Sequence, residues 1–221
     1  MTEARRRDVR IDAGDARLEG YLTLPPEPTG LVVFAHGSGS SRFSSRNRFV
    51  ARVLNEAGLA TLLFDLLSPQ EHEIDQYTYQ FRFDIPLLAR RLTATVDWVD
   101  TQTPIARLPL GLFGASTGAA AALICAAERP ARVAAVVSRG GRPDLAEHAL
   151  SRVKAPTLFI VGGLDHPVLE LNRAAAARLT APHRIEVIPG ATHLFEEPGT
   201  LEAAATAARD WFLEHLHTAD H

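Results

Sequence analysis

The sequence predicts an α/β fold: a mostly parallel central sheet with helices on both faces and an N-terminal antiparallel hairpin. Three features predict it: short apolar runs rich in β-branched and large aliphatic residues, helix-length amphipathic segments between those runs, and a preceding pair of segments that alternate polar and apolar residues. In order, residues 8–12 and 16–24 alternate and meet at Gly14-Asp15, the pattern of a hairpin. Residues 31–35, 60–64, 110–113, 133–137, 157–161 and 184–188 are the apolar runs, suited to strands covered on both faces. Residues 48–57, 84–100, 118–128, 145–153, 169–179 and 201–215 place apolar residues three and four apart and read as helices. Strand and helix therefore alternate as in βαβ units. In such sheets ligands sit beyond the carboxyl ends of the strands, so the loops there are where chemistry is expected.

The chain has 221 residues, which fits a single domain spanning residues 1–221. A formal charge of −3, from 23 Lys+Arg against 26 Asp+Glu, offers no footprint for a nucleic-acid backbone or an anionic membrane surface. Residues 108–127 form a 20-residue stretch without charge, the length of a membrane span. Pro109, Gly111, Gly114 and Gly118 divide it into a strand, a turn and a helix. Arg5, Arg6 and Arg7 are not followed by an apolar stretch of signal length, so the expected location is the cytoplasm. The single cysteine, Cys125, is read as core filling.

The run ending at Phe113 is followed by Gly114-Ala115-Ser116-Thr117-Gly118 and then a helical pattern opening on four alanines. G-x-S-x-G in this context is a sharp strand-to-helix turn that lifts a hydroxyl above the sheet. A serine nucleophile needs a base within hydrogen-bond reach and a third group to orient that base. Asp165 follows the strand at residues 157–161, and His193 follows the last strand in Gly190-Ala191-Thr192-His193. The gaps from Ser116 to Asp165 and from Asp165 to His193 are 49 and 28 residues, in the chain order expected of a serine, acid and histidine on this fold. The competing readings are a turn or helix-capping carboxylate for Asp165 and a surface or core imidazole for His193. His166 adjoins the acid and is disfavoured as base on geometry, Glu196 and Glu197 follow His193 too closely to orient it, and Asp65 is a reserve acid.

The first core strand ends in His36-Gly37-Ser38-Gly39-Ser40-Ser41-Arg42. Acyl transfer builds negative charge on the carbonyl oxygen, and backbone N–H groups are its natural partners. Ser38 and Thr117 are the expected oxyanion-hole residues. Arginine stands where a dinucleotide fingerprint needs its third glycine, and no P-loop lysine is present, which disfavours nucleotide binding. His36 is expected to pack or hydrogen-bond under the loop.

On the substrate side, Arg139 and Arg142 follow the strand at residues 133–137, where a guanidinium fork suits a carboxylate or phosphate. Arg42 and Arg46 are further candidates. The alternative is salt-bridging to Asp144, Glu147 or other acids. Tyr77, Tyr79, Phe81 and Phe83 alternate with polar residues, a strand-like aromatic loop that either caps the pocket or packs at an edge. Trp98 is expected in the core. His215, His217 and His221 near the end invite a metal reading, but positions two apart on a helix do not share a face, and no metal is assigned.

Taken together, His36-Gly37-Ser38-Gly39, Gly114-Ala115-Ser116-Thr117-Gly118, Gly163-Leu164-Asp165 and Gly190-Ala191-Thr192-His193 resemble the motifs of the α/β-hydrolase superfamily, each in place. The absence of an insertion long enough for a lid domain makes the chain most similar to the dienelactone-hydrolase-like branch. Dienelactone hydrolases proper carry cysteine as nucleophile, whereas this chain carries Ser116, and Cys125 lies nine residues further on within the helix. Related serine-containing domains also occur fused to phosphoribosyltransferase domains. The resemblance implies a serine hydrolase acting on a small ester, thioester or lactone through an acyl-enzyme, without a cofactor. Acyl transfer, perhydrolysis and a catalytically silent binding module are the alternatives.

Overall fold

The computed structural model describes residues 3–217. Eight strands form one sheet: β1 (Arg5–Asp12), β2 (Arg17–Leu24), β3 (Gly30–Ala35), β4 (Leu59–Phe64), β5 (Leu110–Ala115), β6 (Val133–Arg139), β7 (Thr157–Gly162) and β8 (His183–Ile188). Their spatial order is β1-β2-β4-β3-β5-β6-β7-β8. β1 and β2 form the antiparallel hairpin at one edge, β2 joins β4 antiparallel, and β4 through β8 run parallel. Among the described residues six α-helices flank the sheet: α1 (Ser45–Glu56), α2 (Pro69–Thr78), α3 (Ile85–Val99), α4 (Thr117–Glu128), α5 (His166–Ala176) and α6 (Thr200–His215). Among the described residues no helix is long and apolar enough to cross a membrane. The uncharged stretch at residues 108–127 divides into β5 and α4.

Alternation along the buried strands builds two cores. On β3, Leu31, Val33 and Ala35 join a cluster with α3, α4 and α5, while Val32 and Phe34 join one with α1 and α6. β3 lies between β4 and β5, so the chain leaves it towards one side of the sheet and later crosses to the other. This reversal opens a crevice at the carboxyl ends of β3 and β5, where the serine-rich loop and the G-x-S-x-G turn lie.

The structure corrects the sequence reading at several points. The aromatic segment at residues 77–83 is not strand-like: Tyr77 lies in the last turn of α2, Tyr79 closes it in a left-handed conformation at φ 57°, and Phe81 lies in the following turn. α2 begins with a capping box, in which Ser68 Oγ accepts from the Glu71 N–H and Glu71 accepts from the Ser68 N–H. The segment at residues 145–153 is part of kinked 3₁₀ turns, Pro143–Arg152, rather than an α-helix. Trp98 is half-buried against the core rather than within it. α1 starts at Ser45, three residues before the expected position, because Ser44 caps it by accepting from the Asn47 N–H.

Candidate active site

Ser116 sits between β5 and α4 with φ 52° and ψ −121°, a left-handed conformation costly for a residue with a side chain. Its glycine neighbours allow that turn. A Cβ on Gly114 would lie 2.5 Å from Ala119 Cα, and one on Gly118 would lie 2.2 Å from the Ala35 carbonyl oxygen. α4 can therefore start directly against the end of β3. The turn is pinned from outside by the N–H of Ser116 donating to the Arg139 carbonyl at 3.2 Å and that of Arg142 donating to the Ser116 carbonyl at 3.1 Å.

Asp165 occupies the N-cap position of α5 but makes no capping bond with its side chain, against the helix-capping reading. Its Oδ2 instead accepts from His193 Nδ1 at 2.8 Å. Two backbone bonds hold the acid loop to the last strand and its loop: Gly163 N–H donates to the Ile188 carbonyl at 2.8 Å and Leu164 N–H to the Ala191 carbonyl at 3.0 Å. The Asp165 side chain is 12% exposed and that of His193 40%, so the acid is shielded while the imidazole keeps an open side. Glu197 braces the histidine loop from behind by accepting from the N–H and hydroxyl of Thr192. Ser116, Asp165 and His193 line one cavity of about 440 Å³. No hydrogen bond joins Ser116 Oγ to His193 among the described residues, a separation common in unliganded sites of this type.

The serine-rich loop after β3 lines the same cavity through Gly37, Ser38 and Ser40. Thr117 is the first residue of α4, where a backbone N–H has no partner within the helix. Ser38 is different. Its backbone N–H donates to Thr117 Oγ1 at 2.9 Å. The hydroxyls of Ser38 and Thr117 are 2.7 Å apart, and Ser38 Oγ donates to the Arg82 carbonyl at 2.5 Å. His36 lies beneath this loop with Nε2 accepting from the Leu66 N–H at 3.0 Å. Burial holds its pKa below the ordinary histidine value, as suits a neutral structural imidazole.

A family model for the dienelactone hydrolase family matches residues 18–219. The chain belongs to the dienelactone hydrolase family. It has the α/β-hydrolase fold. A dienelactone hydrolase from Anabaena variabilis, known from its crystal structure, is 54% identical, covers 98% of this chain and 100% of its own, and superposes with a TM-score of 0.96. A putative phosphoribosyl transferase of Mycobacterium tuberculosis is 57% identical over 209 residues, which are 95% of this chain and 46% of that protein. The chain thus spans about half the length of that relative. Est1E from Butyrivibrio proteoclasticus, 19% identical with a TM-score of 0.78 and covering 94% of this chain and 98% of its own, shares the fold.

In this dienelactone hydrolase family chain the substrate-side arginines separate. Arg42 does not line the cavity and is paired with Asp65 and Glu19. Asp65 is thereby committed to Arg42, and His193 Nδ1 bonds Asp165 instead. Arg142 lines the cavity but is paired with Asp144 at 2.8 Å. Arg139 also lines the cavity, is 5% exposed and has no carboxylate partner among the described residues. Asn47 and Ser44, which sequence reading missed, join Arg46 in the wall because α1 starts early; Ser44 as a helix cap was the available signal. Phe83 also lines the cavity, and Tyr77 and Tyr79 stand exposed on α2 and its cap. Cys125 is buried in α4, and burial pushes its thiol up to about 12, which excludes it as a nucleophile at neutral pH. His215 packs on Trp211, with ring centroids 4.3 Å apart, and His221 lies outside the described residues. Among the described residues no three His, Cys, Asp or Glu side chains are grouped to hold a metal ion.

Proposed function

We propose that the chain hydrolyses a small carboxylic ester, thioester or lactone through an acyl-enzyme on Ser116. The observation that carries this reading is the 2.8 Å bond between His193 Nδ1 and Asp165 Oδ2, made by an imidazole that shares a cavity with a serine held at a strained strand-to-helix turn. That bond fixes the tautomer with Nδ1 protonated and leaves Nε2 as the base facing the cavity.

In the first step Ser116 Oγ attacks the acyl carbon while its proton passes to His193 Nε2. Asp165 stabilises the resulting imidazolium without taking the proton. The oxygen of the tetrahedral adduct accepts from the Thr117 N–H, and the Ser38 N–H joins it by leaving the Thr117 hydroxyl. Collapse expels the alcohol or thiol, which takes the proton from His193. A water then attacks the acyl-enzyme with His193 again acting as base, releasing the acid and restoring Ser116. In a lactone the leaving oxygen stays tethered to the acyl group, and the product is a hydroxy acid. Each step conserves protons without an added cofactor.

The test is labelling with a fluorophosphonate probe in the wild type, Ser116→Ala and His193→Ala proteins. The expected result is labelling of the wild type that is lost in both variants. A folded wild type that takes no label overturns the reading.

A further inference from the structure

Arg82 pairs with Asp75, Arg91 with Glu71 and Asp15, and, in the cavity wall itself, Arg142 with Asp144. Two arginines in the cavity wall depart from that pattern. Arg139, at the end of β6, is 5% exposed, and its Nε is buried without a hydrogen-bond partner. Its Nη2 reaches the neutral Asn47 Oδ1 at 3.4 Å, and its guanidinium lies 5.6 Å from the Phe195 ring centre. Arg46, on the first turn of α1, also has a buried Nε without a partner. Neither has a carboxylate within ion-pair distance among the described residues. Burial, with the nearby charge of Arg46 adding to it, pushes Arg139 down to about 10, which leaves it charged at neutral pH.

The setting adds positive potential. α1 starts at this wall, its first turn contains no acidic residue, and its unpaired N–H groups carry the positive end of the helix dipole. A buried guanidinium with orphaned donors is costly unless an anion arrives to pair with it. A neutral ligand would leave both charges uncompensated, and a single carboxylate would leave one. We propose that Arg139, Arg46 and the start of α1 form a subsite for a doubly charged oxyanion, a phosphate monoester borne by the substrate and placed in the cavity beside Ser116. The phosphate is a handle that does not react; the bond that breaks is the ester of the proposed hydrolysis, on which this assignment rests.

Calorimetric titration of the wild type at pH 8 with phenyl phosphate and phenyl sulfate tests the charge directly. The two ligands have similar shape, but at that pH the phosphate monoester is doubly ionised, its second pKa being about 6, whereas the sulfate carries one charge. The expected result is that phenyl phosphate binds about tenfold or more tightly than phenyl sulfate, equivalent to ~1.4 kcal/mol, and that this ratio collapses in Arg46→Gln and in Arg139→Gln. Should Arg139→Gln fail to fold, the half-exposed Arg46 still decides through its own variant. Equal affinity for the two ligands, no binding of either, or a ratio unchanged in Arg46→Gln overturns the subsite. Fluorophosphonate labelling in parallel separates this from the hydrolase reading. Labelling of Ser116 without selective phosphate binding removes the subsite alone. Selective phosphate binding without labelling keeps the subsite and removes the hydrolase.

Discussion

The backbone N–H of Ser38 donates to the hydroxyl of Thr117 at 2.9 Å, so a donor expected to face the oxyanion is already engaged by the residue that follows the nucleophile. Ser38 Oγ gives its own proton to the Arg82 carbonyl, which leaves the Thr117 hydroxyl donating back to Ser38 Oγ. In the proposed mechanism the Ser38 N–H must exchange one acceptor for another. Thr117→Val keeps the backbone N–H and the shape but removes the competing acceptor. It is expected to raise kcat by about two- to tenfold, the range of a net hydrogen bond of ~0.5–1.5 kcal/mol. A fall of about 10²-fold, the cost of losing an oxyanion donor, would instead make the Thr117 hydroxyl itself the donor.

The Asp165 carboxylate bonds His193 and does not cap α5. Asp165→Asn presents an amide that favours the wrong imidazole tautomer, and kcat is expected to fall by about 10⁴-fold. Thermal midpoints should stay close to wild type because no helix cap is lost. A large drop in the midpoint with residual activity intact would assign Asp165 to the fold instead.

Cys125 and Ser116 bracket the first turns of α4 but differ in surroundings. With its thiol pushed up to about 12 in the core, Cys125 should not react with iodoacetamide at pH 8 in the native protein, and should react fully in denaturant. Ser116→Cys places a thiol at the helix start beside His193 and should react under native conditions. Mass spectrometry of the two proteins reads the difference, and native labelling at Cys125 would contradict the packing of α4.

The sheet and the triad candidates were legible because both obey local rules. Strands covered on two faces are runs such as residues 31–35, and Ser116, Asp165 and His193 each follow such a run directly. α2 was obscured by the alternation of Tyr77, Tyr79 and Phe81, although Ser68-Pro69 followed by Glu71 is a helix start. The pairing of Arg42 with Asp65 is not legible, because Asp65 lies 23 residues away on another strand end and the fold, not local pattern, brings them together. Arg46 and Asn47 entered the cavity wall through a shift of three residues in the start of α1. Such a shift moves side chains around the helix by most of a turn.

The segment between α2 and α3 is held by carboxylates that acid should release. Asp75, 2% exposed, accepts from the N–H groups of Phe81 and Arg82 at 2.8 and 3.0 Å and from Arg82 Nε at 2.9 Å. Burial alone would raise its pKa, but these bonds and the guanidinium charge outweigh it and hold the carboxyl below the ordinary value. Glu71 is held low in the same way, against its burial, by Arg91 and Ser68. A carboxyl with a depressed folded-state pKa contributes stability above its unfolded value, about 3.9 for Asp and 4.3 for Glu, and loses it as pH falls through the folded value. The urea midpoint is therefore expected to be level from pH 7 to about 5 and to fall below about pH 4. Asp75→Asn should lower stability at pH 7 by about 1–3 kcal/mol and flatten the acid limb, because the proton that wild type takes up is no longer needed. The turn held by Asp75 leads to Phe83 in the cavity wall and accepts Ser38 Oγ at the Arg82 carbonyl, so activity towards a small ester should decline in the same variant ahead of global unfolding. A midpoint indifferent to acid, or an acid limb unchanged in Asp75→Asn, would detach this carboxylate from both roles.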